Sequence, residues 1–257
     1  MNLILFEEDE ICRQLDDSSA EIIIDLGDSR AVHILKVLKA GVGSRLDAGI
    51  INRKRGKAVI VSISSENMTL TFFPEADPAG LFPLTLLLGL SRPQTVKKVL
   101  KEATALGIGR FLLTRTDLGE RSYAESSALK PEKLHELFIE GAQQAFCTSI
   151  PECRIEVSLE SAVRTVLSGG ASPRLIALDN YEADVSLSTY WRTPEAQIRP
   201  AAETILAVGS ERGWTGRERG ILRDAGFTLA SIGERVLRTE TASITGTALC
   251  LSGMGML

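Results

Sequence analysis

The stretch that decides the fold runs from Leu84 to Thr116 and reads LTLLLGLSRPQTVKKVLKEATALGIGRFLLTRT. It opens with a continuous apolar run, which is typical of a strand buried on both faces. Apolar residues then recur at helical spacing until Gly107, a residue type that commonly ends a helix. The segment RFLLTRT, which follows, is again short and apolar. Strand, helix and strand in this order predict a parallel βαβ unit.

The same alternation continues to the end of the chain. A helix is predicted over PEKLHELFIEGAQQAF, where Pro131 suits the first turn. Further helices are predicted over ESAVRTVLSGG, GRERGILRDAG and the C-terminal residues, and strands over RIEVSL, RLIALDN, TILAVGS and FTLASIG. A polar stretch, Tyr181 to Pro200, interrupts the pattern. We therefore expect an α/β fold, a mostly parallel sheet with helices on both faces.

The first part of the chain has a different pattern. EIIIDL predicts a strand, SRAVHILKVLKAG a short amphipathic helix, and SRLDAGIINRKRGKAVIVSISSENMTLTFF a meander of short strands. The segment Pro74 to Pro83, PEADPAGLFP, carries three prolines and a glycine and is the best candidate for a linker. The sequence thus predicts two domains, a β-rich one over residues 1–75 and an α/β one over residues 76–257.

The composition is that of an ordinary globular chain, with 44% hydrophobic and 24% charged residues. No apolar run approaches the roughly 20 residues that span a bilayer, and the start, MNLILFEEDE, lacks the basic region of a signal peptide. We therefore expect a cytoplasmic protein. The four cysteines form no C-x-x-C pair and there are two histidines, so the sequence predicts neither a metal site nor a disulfide framework.

The charge distribution leaves room for a local nucleic-acid face. A net charge of -4 argues against a general polyanion binder. However, basic residues cluster in INRKRGK and in SRPQTVKKVLKEA. Each cluster on its own is as readily a solvated surface.

Several familiar sites are missing from the sequence. No G-x-G-x-x-G follows a predicted strand, and RGKA ends in Ala58 where a P-loop needs Ser or Thr. There is no G-x-S-x-G, and neither His33 nor His135 follows a predicted strand as a catalytic triad would require. A ligand without phosphate groups therefore fits better than a nucleotide.

Three predicted strand ends carry the features of a ligand site. They are IALDN (Ile176 to Asn180), AVGSERGW (Ala207 to Trp214) and SIGERVLRTETA (Ser231 to Ala242). The last two share a design: an apolar strand, a glycine, a Glu–Arg pair and then a helix. In an open parallel sheet, ligands bind beyond the carboxyl ends of the strands, and a glycine there lets a flat ligand lie against the backbone. We expect these loops to form one site.

The segment AVGSERGWTGRERGILRDAGFTLASIGERVLRTETA resembles the C-terminal signature of the ribosomal RNA small subunit methyltransferase E family. These enzymes methylate N3 of a uridine and belong to the SPOUT superfamily of trefoil-knotted methyltransferases. The similarity extends, in the same order, to HILKVLKAGVG, KKVLKEATALGIGRFLLTRTDLGERSY and GAQQAFCTSIPE.

The chain departs from the family pattern in three places. Many members have Pro-Glu-Gly-Gly where this chain has Ser210-Glu211-Arg212-Gly213, and an arginine is common where this chain has Cys147. SRPQ stands where many members have a lysine-containing turn. Any family role at the position of Cys147 is therefore not carried over.

The resemblance implies a fold and partners. Residues 1–75 would form a PUA-like β-barrel that contacts RNA, and residues 76–257 a SPOUT methyltransferase domain with a C-terminal knot. The family also implies a homodimer with active sites near the subunit interface. The methyl donor would be S-adenosyl-L-methionine, and the substrate small-subunit (16S) ribosomal RNA, free or within an assembled ribosomal subunit.

The resemblance also implies site residues. The donor pocket would be formed by Leu178, Val208, Gly209, Glu211, Gly213, Ile232, Gly233, Leu237, Arg238 and Thr239. RNA contacts would come from His33, Lys36, Arg92, Lys97, Arg115, Arg121 and Arg212. N3 of uridine must lose a proton before it attacks, which a nearby cation and a carboxylate would assist, and we expect Arg238 and Glu240 to be that catalytic pair.

Other interpretations stay open at this point. Thr239 fits an ordinary helix N-cap, Glu240 fits a first-turn acid stabilised by the helix dipole, and any basic residue fits a solvated surface. The chain is also compatible with a catalytically idle RNA-binding or ribosome-assembly module, or with a methyltransferase that acts on transfer RNA. The sequence identifies neither the nucleotide nor the group that deprotonates it.

Overall fold

A computed structural model describes residues 3–16, 18–168, 172–194 and 203–257. The chain forms two compact units, Met1–Gly80 with Ala142–Ile150, and Leu81–Gly141 with Pro151–Leu257. The sequence predicted a boundary after residue 75, whereas the first segment of the first unit ends at Gly80. The sequence also predicted that residues 142–150 belong to the α/β domain, whereas they belong to the first unit. Two hydrogen bonds tie Ala142–Ile150 to the first unit. Asn52 N–H donates to Thr148 O over 2.9 Å, and the Thr148 hydroxyl donates to Arg53 O over 2.7 Å.

The first unit is built on a six-stranded sheet in the order β1-β4-β5-β6-β3-β2. The β1–β4 pair is parallel and the other pairs are antiparallel. One α-helix, α1, begins after Asp28, whose carboxylate accepts the Arg30 N–H. The strands are β1 (Ile4–Phe6), β2 (Ile11–Asp16), β3 (Ser19–Asp25), β4 (Arg45–Ile50), β5 (Arg55–Ile63) and β6 (Asn67–Ala76), and α1 is Ser29–Lys36.

The predicted elements of this unit are confirmed with shifted ends. The helix stops at Lys36, before the predicted Gly41, because Lys39 adopts a positive φ of 53° that a right-handed helix cannot contain. The short strands β1 and β2 were not predicted, since the acidic segment after Phe6 hides their alternation.

The second unit is built on a seven-stranded sheet in the order β11-β13-β10-β12-β7-β8-β9, and its strand pairs are parallel. The α/β prediction is therefore confirmed. The strands are β7 (Phe82–Gly89), β8 (Ile108–Thr114), β9 (Glu152–Glu156), β10 (Arg174–Leu178), β11 (Val185–Ser186), β12 (Thr204–Val208) and β13 (Thr228–Ser231). The helices are α2 (Pro93–Ala105), α3 (Pro131–Gln144), α4 (Leu159–Leu167), α5 (Leu187–Tyr190), α6 (Gly216–Asp224) and α7 (Thr239–Gly253).

Helices cover both faces of this sheet. Successive side chains of a strand point to opposite sides, so neighbouring residues of β12 contact helices on opposite faces. Ile205 and Ala207 of β12 belong to one buried apolar cluster with residues of α4 and α6. Leu206 faces α7, where a Cβ added at Gly246 would lie 3.2 Å from Leu206 Cδ2. Glycine at position 246 thus lets α7 lie close against the sheet.

Register brings the strand ends of the central sheet together. Val208, the last residue of β12, pairs with Leu178 at the end of β10 and with Leu88 near the end of β7. Leu178 also pairs with Ala230 near the end of β13. The loops after these strands therefore start side by side at one edge.

Two predictions of the second unit need correction. The strand predicted over RIEVSL is β9, Glu152–Glu156, and Ser158 instead caps α4 by accepting the Ser161 N–H. The polar stretch from Tyr181 contains β11 and α5, two elements too short for a periodic signal. Its residues 195–200, and the end of the predicted helix ESAVRTVLSGG at residues 169–170, lie outside the described residues.

Candidate functional site

A cavity opens at the carboxyl edge of the central strands. It is formed by the loops that follow β10, β12 and β13, together with the start of α7. Its lining residues are Leu178, Asp179, Asn180, Tyr181, Val208, Gly209, Ser210, Glu211, Arg212, Gly213, Ile232, Val236, Leu237, Thr239 and Ala242. The three strand ends that the sequence singled out therefore meet in one place, as expected for ligand sites of open parallel sheets.

Most of the residues nominated for the donor pocket line this cavity. They are Leu178, Val208, Gly209, Glu211, Gly213, Ile232, Leu237 and Thr239, whereas Gly233 and Arg238 are not in its lining. Arg212, nominated for RNA, does line it. Sequence reasoning missed Asp179, Asn180, Tyr181, Ser210, Val236 and Ala242, although all six lie within three positions of a residue nominated for the donor pocket.

The loop after β12 is a tight turn that needs two glycines. Gly213 N–H donates to Ser210 O over 2.9 Å, and Gly213 has a φ of +68°, which favours glycine. A Cβ added at Gly209 would lie 3.0 Å from Gly213 Cα. Side chains at either position would open the turn, so the wall of the cavity here is main chain.

A buried tryptophan ties two of the loops together. Trp214 is almost fully buried, and its Nε1–H donates to Leu178 O over 3.1 Å. That carbonyl belongs to the last residue of β10, where the sheet ladder ends. The bond therefore fixes the end of β10 against the loop that follows β12.

The loop after β10 is held by Asp179. Its Oδ1 accepts the backbone N–H groups of Tyr181 (2.7 Å) and Glu182 (2.6 Å), and its Oδ2 accepts Arg219 Nε–H over 2.8 Å. The Arg219 guanidinium lies 5.4 Å from the centre of the Tyr181 ring. The ring itself is 75% exposed and stands at the cavity.

The helix α7 begins one residue earlier than an N-cap role for Thr239, one of the interpretations of the sequence, would require. The N-cap is Arg238, with an extended backbone and no side-chain cap bond, and Thr239 is the first helical residue. Thr239 is buried, Glu240 is half-buried in the first turn, and Arg238 is exposed. Neither Arg238 nor Glu240 is in the lining of the cavity.

The nominated basic residues fall into separate groups. Arg92 caps α2, and its backbone N–H donates to Glu211 Oε1 over 2.8 Å, while the Tyr123 hydroxyl raises the pKa of the Arg92 guanidinium. Arg115 and Arg121 line a second cavity. Lys97 lies exposed on α2, and His33 and Lys36 lie on α1 of the first unit.

The described ranges contain neither a candidate membrane span nor a candidate metal cluster. No helix in that part of the chain is long and apolar enough to cross a membrane. The same residues contain no group of three or more His, Cys, Asp or Glu side chains placed to hold a metal ion.

Comparison with known proteins places the chain in a family. The family model described as RNA methyltransferase domain matches residues 78–251. The Ribosomal RNA small subunit methyltransferase E of Treponema pallidum is 34% identical over 256 residues, which cover 98% of this chain and 91% of that protein. The Ribosomal RNA small subunit methyltransferase E 1 of Borreliella burgdorferi is 27% identical, over 89% of this chain and 92% of that protein.

Solved structures have the same fold. A Ribosomal RNA small subunit methyltransferase E from Neisseria gonorrhoeae, crystallised with S-adenosyl methionine, superposes with a TM-score of 0.74 at 20% identity. The match covers 98% of this chain and 97% of that structure.

Proposed function

We propose that this protein methylates N3 of a uridine. The chain belongs to the RNA methyltransferase domain family and, within it, to the ribosomal RNA small subunit methyltransferase E family. The substrate would be small-subunit (16S) ribosomal RNA and the methyl donor S-adenosyl-L-methionine. The observation that supports this most directly is the convergence of three strand-end loops on one cavity whose lining includes most of the residues expected for the donor.

The residues of the cavity fit the donor chemically. Leu178, Val208 and Leu237 offer apolar contact for an adenine ring. Exposed Glu211 and Arg212 carry opposite charges, which suit the ammonium and carboxylate of an amino-acid tail. The tight Gly209–Gly213 turn brings main chain to the ligand. When bound, the donor supplies an electrophilic methyl group on a positively charged sulfur.

The acceptor step requires proton removal. N3 of uridine lies on the pairing edge of the base, so the base must be unpaired or splayed out. In the proposed step, Glu240 accepts the N3 proton while the Arg238 guanidinium stabilises the resulting negative charge. The freed N3 electron pair then forms the N–C bond as the C–S bond breaks. The Arg238 side chain makes no hydrogen bond or ion pair with another described residue, so its charge is available.

The RNA would be held by basic side chains that contact phosphates without reading sequence. We propose that role for His33 and Lys36 in the first unit and for Arg92, Lys97 and Arg212 in the second, and we propose that Arg115 and Arg121 contact the RNA as well. We also propose that residues 1–75 form a PUA-like barrel and that the C-terminal residues form a trefoil knot.

We further propose that the protein is a homodimer. Leu249 on α7 is 41% exposed, an apolar side chain that a subunit interface would cover. Light scattering on the purified protein at micromolar concentration tests this, since a monomer mass would contradict it.

Calorimetry and RNA mass mapping separate this function from the alternatives. An idle RNA-binding module would not bind S-adenosyl-L-methionine, whereas we expect a one-site titration. A transfer RNA methyltransferase would bind the donor but leave the small-subunit uridine unmodified. Mass mapping of ribosomal RNA from a strain that lacks the protein should show the loss of one methylated uridine.

A further inference from the structure

A second cavity lies at the carboxyl ends of β7 and β8. Its lining residues are Leu90, Arg115, Thr116, Asp117, Gly119, Glu120 and Arg121. We infer that this cavity receives the uracil base that is methylated, and that Arg115 and Arg121 contact the carbonyl oxygens of the base. This inference rests on the proposed function and specifies where its acceptor binds.

The second cavity shares a wall with the first one. Thr116, which lines the second cavity, donates its hydroxyl to the Ser210 hydroxyl over 3.1 Å, and Ser210 lines the first cavity. A Cβ added at Gly89 would lie 2.6 Å from Ser210 N and 2.7 Å from Thr116 Cγ2. These loops are therefore in direct contact, and a base in the second cavity is a neighbour of a ligand in the first.

The loop that forms the second cavity is held in place by a hydrogen bond to α6 and by a bond within its own turn. Glu218 is fully buried, and its Oε1 accepts the Asp117 N–H over 2.9 Å. Gly119 N–H donates to Thr116 O over 3.1 Å, and a Cβ added at Gly119 would lie 2.9 Å from Thr116 Oγ1. These bonds close the turn from Thr116 to Gly119 and shape the cavity before any ligand binds.

The charges of the second cavity favour an anionic base. Asp117 is neutralised by Arg217, whose Nη2 and Nε lie 2.5 and 2.9 Å from its two carboxylate oxygens and hold the pKa of that carboxyl below its usual range. Arg115 and Arg121 are exposed, and their guanidinium groups form no ion pair or hydrogen bond with another described residue. Glu120 is the remaining carboxylate of the lining, and it is exposed to solvent. Two guanidiniums thus remain free for a ligand.

Uracil has the groups that such a cavity binds. N3–H lies between the two carbonyl oxygens, O2 and O4, and loss of its proton spreads negative charge onto both. Guanidinium N–H donors aimed at these oxygens bind the anion more tightly than the neutral base, which lowers the barrier to proton loss. Arg115 and Arg121 would act in this way beside the proposed pair, Arg238 and Glu240.

The test compares two substrates that differ in the acidity of N3. Full-length protein is assayed on a small-subunit RNA transcript that contains uridine and on one that contains 5-fluorouridine, whose N3–H is more acidic. Arg121→Ala and Arg115→Ala are compared with Arg121→Lys, which keeps the charge, and with Arg164→Ala, which removes an exposed arginine of α4 outside both cavities. Donor affinity by calorimetry and thermal unfolding are measured for each variant.

We expect Arg121→Ala to lower kcat/KM on uridine RNA about 100-fold, because a loss of this size follows the removal of one preorganised hydrogen-bond donor to a developing anion. The loss on 5-fluorouridine RNA should be at least several-fold smaller, because less stabilisation is needed. Arg164→Ala should match the wild type, and donor affinity should stay within about twofold for all variants.

Equal losses on both RNAs would overturn the inference, since a phosphate-contacting or structural arginine does not depend on N3 acidity. Unchanged kcat/KM in both alanine variants would overturn it too. Failure of the proposed function has a different signature: the wild-type protein would then methylate neither RNA.

Discussion

Asp179, which lines the candidate donor cavity, forms a buried ion pair with Arg219, with Arg219 Nε 2.8 Å from Asp179 Oδ2 and the two side chains only 2% and 10% exposed. The pair joins the loop after β10 to α6. Asp179 also fixes the backbone of Tyr181 and Glu182. The pair therefore holds the loop after β10 in the position that forms this part of the cavity wall.

Removing one partner of this pair should destabilise the protein. Arg219→Ala leaves the Asp179 carboxylate buried without its cation, which costs about 3–5 kcal/mol in comparable pairs. Urea unfolding measures the loss, and calorimetry should show weaker donor binding. Arg223→Ala is the matched control, because Arg223 sits on the same helix, is 40% exposed and binds the surface residue Glu182. If the two variants are equally stable, the buried pair does not have the role described.

The turn after β12 predicts a sharp contrast between two glycines. Gly209→Ala would put a Cβ 3.0 Å from Gly213 Cα, so the turn must open and donor affinity should fall at least tenfold. Gly220 lies in α6 with nothing within 4 Å of its added Cβ, so Gly220→Ala should raise stability by about 0.5–1 kcal/mol and leave affinity unchanged. Equal donor affinity in both variants would contradict the proposed wall of the cavity.

Arg238 predicts a loss of turnover in a folded protein. Its side chain makes no cap bond and is exposed, so Arg238→Ala should keep the wild-type unfolding transition. Methyl transfer should fall about 100-fold if the guanidinium stabilises the uridine anion. Arg235→Ala, an exposed arginine of the same loop, serves as control. Near-normal turnover would remove Arg238 from the catalytic residues.

Acid should destabilise the first unit, because it protonates the two carboxylates that bind Arg30, those of Glu10 and Asp28. Burial raises the pKa of Glu10, but the Arg30 hydrogen bonds, the Glu7 backbone N–H and the Arg30 charge together outweigh it and hold the pKa below its usual value. An Arg30 hydrogen bond also lowers the pKa of Asp28. Because both folded pKa values are lowered, the stabilisation is complete above the unfolded values near pH 4 and is lost as the pH falls through the folded values. The difference in the free energy of unfolding between wild type and Arg30→Met should therefore shrink between about pH 6 and pH 2. A difference independent of pH would contradict this.

The sequence predicted the parts of the site that follow strands. The family resemblance nominated Leu178, Val208 and Leu237, and apolar runs and glycines marked the three strand-end segments that contain them, which the parallel sheet brings to one edge. Gly213 was identified by the same pattern, and its positive φ supplies the physical reason.

Other features depend on contacts between residues far apart in sequence. Asp179 and Arg219 are 40 positions apart, and neither lies in a pattern that identifies its partner. The second cavity depends on a hydroxyl pair between Thr116 and Ser210, which are 94 positions apart. Ala142–Ile150 joins the first unit through bonds to the loop after β4. Periodicity and local motifs carry no information on such pairings.

The central claim is methylation of uridine N3 in small-subunit ribosomal RNA. The most direct measurement incubates the purified protein with methyl-labelled S-adenosyl-L-methionine and small-subunit RNA, either free or in assembled subunits, and maps the label by nuclease digestion and mass spectrometry. We predict one labelled nucleoside that co-elutes with 3-methyluridine and stops reverse transcription at a single position. Label in another nucleoside, or no label with either substrate, would contradict the assignment.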